Sequence, residues 1–216
     1  MIELINVTKY YPTSLGRKYV IKDITTTIPG RRNIGILGRN GAGKSTLLRL
    51  LGGIDFPDKG EIVTDQRISW PLALSAGLHP MMTGREGTRF VARVHGAQNI
   101  KEIESFAQDF SELGYNYDLP VRMYSSGMKS RLAFAISMAF DFDTYLLDEI
   151  TSVGDPRFQK KARVALNQKR ETANVIMVSH APGLLKEFCD CGIVLDDGKM
   201  TFYESIDRAI TIYNAL

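Results

Sequence analysis

The chain has 216 residues, enough for one large α/β domain, with or without an inserted subdomain, around a proper buried core. Apolar residues make up 44% and charged residues 24%, which excludes a disordered chain. A net charge of only +3, spread over scattered Lys and Arg, gives no footprint for nucleic acid, and the chain has no apolar run long enough to span a membrane.

The opening residues Met1 to Val7 lack the basic and apolar regions of a signal peptide, so a cytoplasmic protein is expected. Residues 2–7 and 19–28, rich in Val, Ile and Thr, predict two strands with a loop between them at Tyr10 to Gly16. Tyr10 and Tyr11 head that loop. An aromatic there suits stacking on an adenine ring, and equally suits the closing of a strand edge.

Residues 33–37 read as a buried strand and residues 45–51 as a helix. Between them Gly38-Arg-Asn-Gly-Ala-Gly-Lys-Ser-Thr46 fits the Gly-x-x-x-x-Gly-Lys-Ser/Thr pattern. A triphosphate needs convergent N–H donors, a mobile positive charge and an oxygen ligand for Mg²⁺. Gly38, Gly41 and Gly43 let the backbone turn and approach, Lys44 reaches the β and γ phosphates, and the Ser45 hydroxyl ligates the metal. The helix aims its positive N-terminus at the same anion, so the stretch reads as a nucleotide site.

Gly52 to Gly60 is turn-rich, followed by strand-like residues 61–64 and 67–70 and an irregular stretch over 71–80. Thr83-Gly-Arg-Glu86 is a capping box opening a helix with Phe90, Val91 and Val94. A second helix spaces Ile103, Phe106, Ala107, Phe110 and Leu113 by threes and fours, up to Gly114. A third runs from about Gly127 to Phe140, with Met128, Leu132, Ala135, Ile136 and Ala139 on one face. Successive helices interrupt the α/β alternation, so residues 73–141 are expected to be a helical insertion in a single domain whose core is 1–72 and 142–216.

Alternation returns with a strand at 145–147, a helix at 157–170, a strand at 175–179, a helix at 182–188 and a strand at 192–195. Asp197-Gly198 turns into a last short strand before a helix at 205–215. The unbroken apolar strands predict a parallel sheet covered on both faces. Lys160, Lys161, Arg163, Lys169 and Arg170 share their helix with Phe158, Ala162 and Leu166 and read as a solvated face. Cys189 and Cys191 have no second pair or nearby His, and read as reduced thiols rather than a metal or redox motif.

Ligands of parallel sheets bind at the carboxyl ends of the strands, where Asp148 and Glu149 emerge. Asp148 suits Mg²⁺ opposite Ser45, and Glu149 suits the water that attacks the γ-phosphate, although adjacent carboxylates at a strand end also cap helices. His180 follows another strand and suits the γ-phosphate. Tyr124-Ser-Ser-Gly-Met-Lys-Ser-Arg131 opens the third helix of the insertion, either as an anion-binding N-terminus or as an ordinary serine cap.

In this order the pieces resemble the nucleotide-binding subunit of ABC transporters, over nearly the whole chain. The aromatic at Tyr11, the phosphate loop, the helical insertion, a signature at 124–128, Asp148-Glu149, a D-loop at Ser152-Val-Gly-Asp155 and a switch His180 all fall in the family's order. The signature is written Tyr-Ser-Ser-Gly-Met where the family usually has Leu-Ser-Gly-Gly-Gln. With residues 133–143 and 148–155, it is similar to the capsular-polysaccharide export ATPases of Gram-negative bacteria. Leu78 to Glu86 is also similar to the O-antigen and teichoic-acid exporters. Most members carry a glutamine after the corresponding strand, whereas this chain has none between Gln66 and Gln98, leaving Ser75 and His79 as candidates for its place.

The resemblance implies an α/β P-loop NTPase (RecA-like) fold: a parallel-sheet core, an N-terminal antiparallel β part and an inserted helical subdomain. It implies an ATPase that uses Mg²⁺, with Lys44, Glu149 and His180 catalytic and Ser45 and Asp148 on the metal. Tyr11, Gly38, Asn40, Gly41, Ala42, Gly43, Lys44, Ser45 and Thr46 would hold ATP, and Ser125, Ser126, Gly127 and Asp155 of a second copy would complete the site. The implied partners are a homodimer mate and two copies of an integral membrane permease, with no nucleic acid, at the cytoplasmic face of the inner membrane. Capsular or related polysaccharide is the implied cargo. O-antigen, teichoic acid, a small molecule, or a soluble role outside transport remain open alternatives.

Overall fold

The computed structural model describes residues 1–14, 16–72, 77–148 and 154–216. They group into two compact units, one formed by 1–71, 142–149 and 172–216, the other by 72–141 and 150–171.

In the first unit, β1 (Ile2–Thr13), β2 (Gly16–Ile28) and β4 (Lys59–Thr64) form an antiparallel sheet in the order β2-β1-β4. The loop expected over Tyr10 to Gly16 is instead the continuation of a hairpin, with Tyr10 opposite Tyr19, Tyr11 opposite Lys18 and Thr13 opposite Gly16. Cross-strand contacts outweigh the local turn signals of Pro12, Ser14 and Gly16. The Tyr10 and Tyr19 rings lie 5.4 Å apart, the Arg17 guanidinium sits 4.5 Å above Tyr10, and the Thr13 hydroxyl donates to the Gly16 carbonyl at 2.8 Å.

The second sheet of this unit contains β3 (Ile34–Gly38), β5 (Ile68–Leu72), β6 (Thr144–Asp148), β7 (Asn174–Val178), β8 (Cys191–Asp196) and β9 (Lys199–Tyr203), in the order β5-β6-β7-β3-β8-β9. β6, β7, β3 and β8 are mutually parallel, as their unbroken apolar sequences predict. β9 runs antiparallel to β8 because Asp197-Gly198, both at positive φ, closes a two-residue hairpin. At the other edge the Ser69 hydroxyl accepts from the Leu146 amide at 2.9 Å and donates to the Trp70 carbonyl at 2.8 Å. Trp70, the sole tryptophan, is buried edge-on against Phe142 at 5.3 Å.

Three helices accompany these sheets: α1 (Lys44–Leu51), α6 (Pro182–Phe188) and α7 (Ile206–Asn214). Leu47, Leu48 and Leu51 of α1 join Ile34, Ile36, Leu146, Ile176 and Val178 in one buried cluster that continues through Val7 and Ile21 of the antiparallel sheet. Gly35 and Gly192 let α7 lie directly on the strands: a Cβ at Gly192 would come within 2.4 Å of the Ala209 Cβ, and one at Gly35 within 2.8 Å of Ile206 Cδ1. Cys189 and Cys191 are free and buried, and burial pushes the Cys191 thiol up from its ordinary pKa.

The second unit holds α2 (Gly84–Val94), α3 (Ile100–Ser111), α4 (Ser126–Met138) and α5 (Pro156–Lys169). The Thr83 capping box forms in full, with Thr83 Oγ1 accepting from the Glu86 amide at 3.1 Å and Glu86 Oε2 accepting from the Thr83 amide at 2.9 Å. α4 differs from the single apolar face read in its sequence, since every residue from Leu132 to Met138 is buried. α5, placed with the core by sequence alternation, groups with these helices. Phe158 of α5 meets Phe110 of α3 at 5.7 Å and Phe134 of α4 at 6.2 Å, both edge to face.

Arginines tie this unit together. Arg85 and Arg89 of α2 both donate to the carboxylate of Glu104 on α3, and Arg85 Nε also donates to Asp118 at 2.6 Å. Burial pushes the Glu104 carboxyl up, but the hydrogen bonds from Arg89 and Arg85 outweigh it and leave the group below its ordinary range. Beneath Arg85, burial pushes the Tyr117 phenol up to about 12, and its hydroxyl donates to Thr88 Oγ1 at 2.9 Å. Among the described residues no helix is long and apolar enough to cross a membrane.

Candidate functional site

The phosphate loop leaves the carboxyl end of β3 and enters α1. Its three glycines adopt φ values of 158° at Gly38, 81° at Gly41 and 103° at Gly43. The loop is also sterically closed to side chains at two of them, because a Cβ at Gly38 would lie 2.5 Å from the Leu195 carbonyl oxygen and one at Gly43 2.8 Å from that of Val20. α1 has no side-chain cap, so its first amides are presented to the loop's concavity. Lys44 is nearly buried and folds back over the loop, donating to the carbonyls of Gly38 at 2.7 Å and Arg39 at 3.1 Å.

An open cleft of about 520 Å³ lies over this loop. Its lining brings together Tyr11, Asn40, Gly41, Gly43, Lys44, Ser45, Thr46, Asp148 and His180 from separate parts of the chain. Gly38 and Ala42, also expected to hold nucleotide, belong to the same loop behind that lining. Asp148 arrives at the carboxyl end of β6 and His180 just beyond that of β7, so both emerge where strand topology predicts. Tyr11 is anchored from below: its hydroxyl donates to Asp55 Oδ2 at 3.2 Å and lies 3.4 Å from Thr46 Oγ1. Lys9 hydrogen-bonds the same Asp55 at 2.8 Å and holds its carboxyl below the usual carboxylate range.

Three lining residues were missed in the sequence: Val178 at the end of β7, and Lys18 and Val20 of β2. The signal for the two on β2 is the hairpin register, which a loop reading of Tyr10 to Gly16 hides. Glu149, Ser152 and Ser75 lie outside the described residues. His79 is exposed in the second unit, its Nδ1 accepting from the Met81 amide at 3.3 Å.

The signature lies wholly in the second unit. Tyr124 is buried and its hydroxyl donates to the Asn116 carbonyl at 2.7 Å. Ser125 is the N-cap of α4, accepting from the Met128 amide at 3.2 Å, and Ser125 and Ser126 are exposed. A Cβ on Gly127 would meet nothing closer than 3.9 Å, so this helix start is open on its outer side. Asp155 caps α5, accepting from the Arg157 and Phe158 amides at 2.9 Å each. Those amides, the Phe158 one foremost, and the neighbouring Arg131 guanidinium hold its carboxyl below the ordinary range.

Among the described residues no group of three or more His, Cys, Asp and Glu forms a cage for a metal. Ser45 and Asp148 supply two hard oxygen donors in the cleft. Such a pair fits Mg²⁺, which keeps waters and takes the remaining ligands from substrate phosphates.

The model of the ABC transporter family matches residues 21–152. The polysialic acid transport ATP-binding protein KpsT of Escherichia coli is 49% identical over 215 residues, covering 99% of this chain and 98% of the relative. The capsule polysaccharide export ATP-binding protein CtrD of Neisseria meningitidis is 45% identical over 216 residues, the whole of both chains. In fold, the chain is similar to an ATP-binding cassette solved as a dimer in a post-hydrolysis state bound to ADP and Pi. The TM-score is 0.77 with 22% identity, over 94% of this chain and 98% of the other. With its phosphate loop, strand-end carboxylate and histidine gathered on one cleft, and the family model matching more than half its length, the chain belongs to the ABC transporter family.

Proposed function

We propose that this chain is the ATP-hydrolysing subunit of an exporter of capsular or related cell-surface polysaccharide. The observation that carries the chemistry is the gathering of Lys44, Ser45, Asp148, His180 and Tyr11 on one cleft. Likeness to KpsT and CtrD over essentially the full chain supports the cargo class.

The first unit acts as nucleotide-binding core and the second as helical subdomain. Tyr11 stacks on the adenine, and the amides from Gly38 to Thr46 cradle the phosphates. Lys44 leaves the Gly38 and Arg39 carbonyls for the β and γ phosphates. Ser45 and Asp148 would hold Mg²⁺, which would supply positive charge to offset that of the phosphates. Glu149 orients the attacking water and accepts its proton as the new oxygen–phosphorus bond forms. The bond to the β-phosphate oxygen breaks, releasing ADP and inorganic phosphate, while His180 stabilises the γ-phosphate.

Two copies face each other, so that Ser125, Ser126, Gly127 and Asp155 of one complete the site of the other. Exposure of Ser125 and Ser126 and the open side of Gly127 support this reading. Closure would rock two copies of an integral membrane permease at the cytoplasmic face of the inner membrane. Glu149→Gln should trap an ATP-bound dimer; light scattering that stays monomeric with ATP and Mg²⁺ would count against it. Copurification from membranes that yields no integral membrane protein would remove the transport assignment.

A further inference from the structure

We propose that Lys18 is a second cation of the nucleotide site, engaging the phosphates of the bound nucleotide from the β1–β2 hairpin; this rests on the reading of the cleft as the ATP site. Lys18 stands directly opposite Tyr11 in the hairpin, and paired residues on an antiparallel ladder share a face. Val20, two residues on, keeps that face, and all three line the cleft. The backbone of Val20 is packed on Gly43, whose Cβ would lie 2.8 Å from the Val20 carbonyl oxygen, so the strand carrying Lys18 is held against the phosphate loop. From that anchor the Lys18 ammonium reaches over the loop to 3.8 Å from the place a Cβ on Gly41 would occupy.

Charge pairing singles this lysine out. Lys9 of the same hairpin is committed to Asp55 at 2.8 Å, and Lys22 to Asp197 at 2.8 Å. Lys44, the first cation of the site, rests on two loop carbonyls. Among the described residues no carboxylate lies within ion-pair distance of Lys18, and the only described acid on the cleft wall is Asp148. An exposed ammonium over a loop that gathers phosphate oxygens is complementary to the anionic part of the nucleotide.

The test is a titration of the full chain with fluorescent N-methylanthraniloyl ADP and ATP, comparing wild type with Lys18→Ala, Lys18→Arg and Lys44→Ala. Lys18→Ala should weaken both nucleotides about fivefold at low salt, the worth of one solvent-exposed charge pair. Lys18→Arg should restore wild-type binding, and the difference between wild type and Lys18→Ala should collapse at about 1 M salt, where screening extends only a few ångströms. Unchanged thermal unfolding without nucleotide separates this from a folding defect. Equal affinity of Lys18→Ala and wild type at low salt, with Lys44→Ala still defective, would overturn the role of Lys18 and leave the cleft standing. A loss that is salt-independent, or equally large for N-methylanthraniloyl adenosine, which lacks phosphates, would overturn it too. Failure of the wild type to bind would remove the cleft reading and this inference with it.

Discussion

In the α/β unit the functional groups stand on backbone. Gly38 and Gly43 are wedged against the Leu195 and Val20 carbonyls, and the cleft is shaped by where strands β3, β6 and β7 end. In the helical unit position comes from side chains: Arg85 and Arg89 bind α2 to Glu104 of α3, while Arg131 of α4 donates to the Ser111 carbonyl at 2.9 Å and the Glu112 carbonyl at 2.8 Å. A backbone-built site tolerates few substitutions at its glycines, whereas an arginine-tied bundle accepts change along its faces and loses the ties to Glu104 when that carboxylate protonates. The first arrangement suits a site that must hold one ligand geometry. The second suits a module in which the start of α4, with Ser125 and Ser126 exposed, is presented rather than enclosed.

The contrast is broken most severely at Lys44. Lys44→Ala should lower ATP hydrolysis by roughly a hundredfold or more, the usual loss when a charge stabilising the transition state is removed. Steady-state phosphate release near the wild-type rate would refute the site. Next in size, Gly127→Arg in the helical unit should leave nucleotide binding by one chain within about twofold but cut turnover at least roughly tenfold, because only the completed two-chain site loses its positioning. Equal losses in binding and turnover would mean that the signature does not act in trans.

The smallest effect tests the arginine ties themselves. The Glu104 carboxyl sits below its ordinary value, so it adds stability above pH 4.5 that is lost as pH falls through its folded value. Glu104→Gln should cost about 1 kcal/mol at neutral pH, since the carboxylate is buried but both arginines are partly solvated. It should also flatten the decline of stability on acidification. Urea unfolding at pH 7 and pH 4 measures both, and a variant whose acid sensitivity matches the wild type would assign the decline to other carboxylates.

Much of this was legible in the sequence because its signals are local. The phosphate loop declares itself in nine consecutive residues, and the Thr83 box in four. Unbroken apolar runs likewise marked the four parallel strands. What escaped is held by partners distant along the chain. The hairpin over Tyr10 to Gly16 depends on rings and charges paired across strands, which hid Lys18. α5 alternates like a crossover helix, yet Phe158 finds Phe110 and Phe134. The missing glutamine between Gln66 and Gln98 was plain, but a local signal cannot name its replacement.

Trp70 gives the chain a built-in optical reporter. As the sole tryptophan, buried against Phe142 within the α/β unit, it gives an emission that follows the opening of its surroundings in that unit. Far-ultraviolet circular dichroism, by contrast, draws most of its helical signal from α2 to α5. Coincident transitions by the two probes would mean that the units melt as one cooperative body, and separated ones that each keeps its own stability.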